Sequence, residues 1–235
     1  MELGGCPFPE DAHFDAEHDV WVRAAPTPGV YRLGITSSLS AFAGRILAIR
    51  HRTVGAELHP GESVATIESL RYTGAVRLPL TGVGAVPNRA IVARPRLLND
   101  SPYEEGWVIE FRPVHPAEVD RLPRGRAATE ALTSRIAVLR VRCEGPVPDV
   151  EVVELGSECS AVLARLDTEL ALRAPGDILR LVSDDPTSPL EMVRWADRTG
   201  HTVLGSYREG TVHRFLVRRE ASPTPRTRSA ETGRV

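Results

Sequence analysis

Between Val20 and Pro113 the apolar residues come in short runs, VWVRA, VYRLGIT, GRILAIRH, SVATIESL, GAVRLPL, AIVARP and WVIEFRP, each cut off by Gly, Pro or Asn. Short β-branched segments at this spacing predict strands of a small all-β sandwich. A polar stretch with prolines follows from His115 to Gly125, and residues 127 to 139 then have helical composition with apolar side chains on one face. That helix closes the first domain, which we place at residues 13 to 140.

The pattern then changes. The segment RCEGPVPD, with two prolines and a glycine, suits neither helix nor strand and predicts a linker over 141 to 149. Beyond it strands and helices alternate: VEVVEL at 150 to 155, a helix at 160 to 173 with Val162, Leu163, Leu166, Leu170 and Leu172 as its apolar set, and ILRLVS at 178 to 183. A helix at 189 to 200 begins on Pro189 and stops at Gly200, and a hairpin, HTVLGSY with TVHRFLVRR, completes the unit. The order is βαβαββ, a two-layer α/β sandwich over 150 to 219. Residues 220 to 235 have no apolar periodicity and read as a disordered tail.

Composition narrows the function classes. The hydrophobic fraction is 42%, charged residues make up 26% and the net charge is -2, values that offer no extended basic face for nucleic acid. No apolar run approaches the roughly 20 residues of a membrane span, and the N-terminus has no signal-peptide pattern, so a cytoplasmic protein is expected. His13 and His18, or His51 and His59, lack the spacing of metal ligands on one helix face, so no metal is expected. GVGAVP at 82 to 87 lacks the spacing of a phosphate loop. Trp21, Phe42 and Trp107 read as core. The cysteines, Cys6, Cys143 and Cys159, are odd in number and widely spaced, so no disulfide framework is expected; Cys6 reads as incidental in a poorly structured N-terminus.

The segments EHDVWVRA, YRLGITSSLSAFAGRILAI, GESVATIESLRYTGAVRLPLTG and AIVARPRLLNDSPYEEGWVIEF, with the helix after them, resemble the glycine-cleavage H-protein family in order and spacing. In that family a lysine after Glu-Ser-x at a hairpin tip receives lipoate. The resemblance puts that position at Arg71, after Glu68, Ser69 and Leu70. All 29 basic residues of the chain are arginine, and a guanidinium that stays protonated is no nucleophile for amide formation. The resemblance therefore implies a domain without its lipoyl arm and without that cofactor. Arg71 reads as a solvated turn residue; the alternative is a side chain that docks an acidic patch or a partner's carboxylate.

The segments VEVVELGSECS and PGDILRLVSDDP, a helix ending in TGH and a hairpin ending in FLVRR resemble the TusA/SirA-like sulfur carriers, which hold a persulfide on one cysteine. That resemblance assigns Cys159 as the catalytic thiol, Asp184 and Asp185 as the family's acidic strand-end motif, and no cofactor beyond sulfane sulfur held transiently on Cys159. Independently of the family, a cysteine between a strand and the first helical turn lies at the positive end of the helix dipole, which lowers a thiol pKa. The charge of Glu158 opposes this, and Ser160 in place of the family's proline is expected to cap the helix. Cys143 is a candidate relay thiol.

The expected function is persulfide carriage on Cys159, with the H-like domain as a docking module. The expected partners are a cysteine desulfurase or other sulfur donor and a sulfur-acceptor protein, and neither nucleic acid nor membrane. The alternative is a non-catalytic scaffold or regulator derived from both domains.

Overall fold

The computed structural model describes residues 1 to 53 and 57 to 221. The chain divides into two compact units, Met1–Val147 and Pro148–Val235. Most of the tail expected at 220 to 235 lies outside the described residues; Glu220 itself is tied down, its carboxylate accepting from the Thr202 hydroxyl at 2.6 Å and from Arg218 at 3.0 Å.

The first unit opens with a two-stranded ribbon, β1 (Glu2–Leu3) and β2 (Cys6–Pro7), followed by β3 (His13–Asp15), β4 (Val20–Ala24), β5 (Tyr31–Ile35), α1 (Ser37–Ala43) and β6 (Ile46–His51). Next come β7 (Glu57–Leu58), β8 (Ser63–Ser69), β9 (Thr73–Arg77), β10 (Gly82–Pro87), α2 (Arg89–Ala93), α3 (Leu97–Asp100), β11 (Trp107–Pro113) and α4 (Thr129–Leu139). Among the described residues a sheet in the order β3-β4-β5-β11-β10-β7 and a smaller sheet, β6-β8-β9, enclose a core that includes Val22, Leu33, Ile49, Ile67, Val76 and Phe111. Strands pair antiparallel throughout both sheets, so alternate residues face inward. This is the expected all-β sandwich with a C-terminal helix.

One expectation for this unit fails. AIVARP forms α2, not a strand: the Asn88 side chain accepts from the Ala90 N–H at 3.0 Å, and Ile91 alone in the helix is buried, so the run covers one corner of the core. GVGAVP, which lacks phosphate-loop spacing, forms the strand β10, bulged between Val83 and Val86.

The N-terminus is also ordered. Cys6 is fully buried and bonded to Cys143, with Cα atoms 4.8 Å apart and a sequence separation of 137. This overturns both the expected absence of a disulfide and the reading of Cys143 as a free relay thiol. Gly4 and Gly5 take positive φ, and a Cβ on Gly5 would lie 2.2 Å from the Cys143 carbonyl oxygen, so only glycine admits this approach. The Cys143 N–H donates to the Gly4 carbonyl at 3.1 Å, and Arg96 donates to the Val147 carbonyl at 3.2 Å. The expected linker is thus packed on the first unit up to Val147. Around the disulfide, Phe8, Phe14, Trp21, Tyr103, Leu132 and Ile136 form a second small core beneath α4.

A nearly buried carboxylate fixes α4. Asp19 has φ 57°, which Asp tolerates, and accepts from Arg135 Nε at 2.9 Å and 3.0 Å; Arg135 Nη2 makes a further bond. Burial pushes the Asp19 carboxyl above its ordinary value and the Arg135 contact offsets this in part. Arg135→Ala strands that carboxylate, and we expect a loss of about 2–3 kcal/mol in denaturant unfolding, below the full cost for a buried pair because Arg135 is part-exposed.

The second unit contains β12 (Val150–Glu154), α5 (Cys159–Ala171), β13 (Ile178–Ser183), α6 (Ser188–Thr199), β14 (Thr202–Glu209) and β15 (Val212–Arg218). The sheet runs β12-β13-β15-β14, parallel between β12 and β13 and antiparallel elsewhere. It matches the expected βαβαββ order. Val162, Leu166 and Leu170 of α5 and Met192 and Trp195 of α6 pack over Leu179, Leu181, Phe215 and Val217. The Trp195 indole N–H donates to Asp167 at 2.7 Å, joining the two helices. Leu172 does not join this set: the helix ends at Ala171 and Leu172 is exposed. Among the described residues no helix is long and apolar enough to cross a membrane.

Candidate functional site

Parallel pairing of β12 with β13 puts Glu154 beside Ser183, so the two loops leaving the C-terminal ends of these strands lie side by side. Ligand and reactive groups of α/β folds collect at such strand ends. The first loop turns at Gly156, whose φ of 73° is left-handed, and delivers Cys159 as the first residue of α5. Cys159 is the free cysteine of the described residues, half-buried against the unit's core.

The acidic motif is what fastens this loop. Asp184 accepts from the Gly156 N–H at 2.8 Å, and Asp185 accepts from the Thr187 N–H at 2.7 Å and the Thr187 hydroxyl at 2.6 Å. These bonds from Thr187, with the Cys159 N–H as a smaller contribution, hold the Asp185 carboxyl below its ordinary value, so it is an anion at neutral pH. Ser160 is not the cap that the sequence led us to expect. The N-cap is Glu158, whose carbonyl accepts from Ala161 and Val162 and whose side chain makes no capping bond.

The electrostatics also differ from expectation. Burial pushes the Cys159 thiol above its ordinary pKa, and the charges of Asp185 and Glu191 push it the same way. Hydroxyls of Thr187 and Ser188 oppose this by hydrogen bonding. The thiol is therefore mostly protonated at neutral pH, with burial the largest cause. We expect the alkylation rate of Cys159 to climb with pH beyond the ordinary thiol range. In Glu191→Gln the profile should move to lower pH and the neutral-pH rate should rise; an unchanged profile contradicts this electrostatic account.

Thr187, Ser188 and Glu191 were not singled out in the sequence, although DDPTS directly after the second parallel strand was the available signal.

In the first unit Arg71 stands at the β8–β9 hairpin, but its side chain is folded back. Nη2 donates to the Ala41 carbonyl in the last turn of α1 at 2.9 Å, and a Cβ on Gly44, the C-cap with φ 71°, would lie 3.0 Å from Arg71 Nε. A cation on the open carbonyls of a helix C-terminus is stabilising, so Arg71 caps α1. Leu70 beside it is 89% exposed. Trp21 is core; Phe42 packs edge-on to Tyr72, and Trp107 lies under the Arg32 guanidinium.

A β sandwich closed by a helix is thus followed by an α/β unit with a free cysteine at a strand-to-helix junction. Residues 12–135 match the family model for the glycine cleavage H-protein, and residues 154–219 match that for sulfurtransferase TusA. The chain is 34% identical over 145 residues to glycine cleavage system H protein 5 of Aquifex aeolicus, covering 60% of this chain and 98% of that one. It is 30% identical over 141 residues to a probable glycine cleavage system H protein 2 of Saccharolobus solfataricus, covering 59% and 95%. A crystal structure of a glycine cleavage system H protein from Mycobacterium marinum is 26% identical, covering 54% of this chain and 98% of that one at a TM-score of 0.45. The chain belongs to the glycine cleavage H-protein family, and carries a TusA domain after its H-protein domain.

Proposed function

We propose that this protein carries sulfane sulfur on Cys159 between a donor and an acceptor protein, with the H-protein domain as a docking module that bears no lipoyl arm. The observation that carries the reading is the place of Cys159: a free thiol on the first turn of α5, at the strand-to-helix junction inside the TusA match.

In loading, the Cys159 thiolate attacks the terminal sulfur of a donor persulfide. A sulfur–sulfur bond forms to Cys159, the donor's own bond breaks, and the donor cysteine leaves as thiolate. Unloading reverses the roles, with an acceptor thiolate attacking the terminal sulfur and Cys159 leaving. No net oxidation occurs in either step. A cysteine desulfurase fits the donor role. Arg71, engaged in capping α1, holds the hairpin in place, and the exposed Leu70 at its tip is a contact for the docking role.

The raised pKa of Cys159 favours the second reading, a scaffold whose thiol is inert. Sulfur loading of the wild type against Cys159→Ala separates the two.

A further inference from the structure

Away from Cys159, α6 and the strands β14 and β15 enclose a cleft of about 260 Å³ within the second unit. Its reachable apolar surface comes from Val193, Ala196 and Val203, with Met192 and Phe215 beneath, and its polar groups include Asp197 and His201. Met192 and Phe215 are almost fully buried, so the apolar part is set in a packed core. Its volume lies just below the range of drug-sized sites, which suits a small ligand.

Two polar groups are left without partners. The Asp197 carboxylate is half-buried at the rim of the cleft and makes no hydrogen bond or ion pair among the described residues. The His201 ring lies tilted against Trp195 with centroids 5.7 Å apart, and its Nδ1 accepts from the Glu220 N–H at 3.2 Å. Accepting at Nδ1 leaves the proton of the neutral ring on Nε2, a donor with no partner among the described residues. Burial, and then the charge of Arg219, hold His201 below its ordinary value, so the ring adds no positive charge. The cleft therefore offers one uncompensated anion, one donor and an apolar floor.

We propose that this cleft binds a small organic ammonium ion, its apolar body against Val193, Ala196 and Val203, its cation on Asp197 and an acceptor atom, where it has one, on His201 Nε2–H. An ion pair shielded by apolar walls is stronger than an exposed one, which gives the site its preference for charge.

The test is a titration of the full-length protein followed by ¹H–¹⁵N NMR, with phenethylammonium chloride as probe, phenethyl alcohol as neutral isostere and Nα-acetyl-lysine methylamide to represent a lysine side chain of a partner protein. We expect saturable shifts at Ala196, Asp197 and Val203 with the ammonium and at least about tenfold weaker binding of the alcohol. Asp197→Asn, at a half-exposed position that tolerates substitution, should remove that preference while leaving the alcohol's binding unchanged. Equal affinity for ammonium and alcohol, or shifts that do not saturate, overturns the proposal. So does binding of the lysine amide alone, which would make the cleft a protein contact. Because none of these probes reacts with a thiol, the outcome is independent of sulfur loading on Cys159.

Discussion

Removing the Cys6–Cys143 bond should lower the thermal midpoint of the first unit by on the order of 10–15 °C while leaving the second unit's transition in place. The bond closes a loop whose ends lie 137 residues apart, and releasing such a loop adds about 4–5 kcal/mol of chain entropy to the unfolded state. For a unit of this size each kilocalorie moves the midpoint by about 2–4 °C. The effect should be local as well as global, because β1, β2 and α4 share the small core around Cys6. Scanning calorimetry of Cys6→Ala/Cys143→Ala checks it, with the non-reduced wild type beside it. Alkylation of the denatured, non-reduced wild type should label one cysteine, Cys159. Three labelled cysteines and an unmoved midpoint would show that the bond does not form in solution.

The parity of three cysteines pointed away from this bond, and the reason is physical. Pairing between residues this far apart depends on the first twelve residues folding back against the end of α4, and local patterning does not encode that approach. Two adjacent glycines, Gly4 and Gly5, were its only local trace. The strands of the sandwich, by contrast, were legible because one face of each is buried and alternation repeats over a few residues. AIVARP misled because its apolar residues are as few as a strand's, and only the Asn88 cap distinguishes it as a helix.

The position of Cys159 was likewise legible, since strand, glycine turn and helix follow one another in the chain. Its surroundings were not. Asp185, Thr187, Ser188 and Glu191 come from the next strand-to-helix junction, which parallel pairing of β12 and β13 brings alongside. Hence the sequence led to a thiol activated by its helix, whereas the assembled site raises the thiol's pKa. The fold of Arg71 onto α1 was hidden for the same reason, as its partner carbonyl lies 30 residues earlier in the chain.

Sulfur loading of Cys159 tests the central claim most directly. The protein, with its disulfide intact, is incubated with a cysteine desulfurase and cysteine, and in parallel with small polysulfides that need no docking surface. Intact mass and peptide mapping then locate added sulfur. Sulfane sulfur should appear on Cys159 in units of one atom, and loading from polysulfide should accelerate as pH rises, because the attacking species is the thiolate of a group whose pKa lies above the ordinary thiol value. Cys159→Ala should load nothing and keep the wild-type melting profile, whereas Cys6→Ala/Cys143→Ala, which removes the disulfide without freeing a thiol, should still load Cys159 below its lowered melting point. If both donors leave Cys159 unmodified under conditions that persulfidate a control carrier, or if the sulfur maps to Cys143 instead, the carrier account is wrong and the scaffold reading stands in its place.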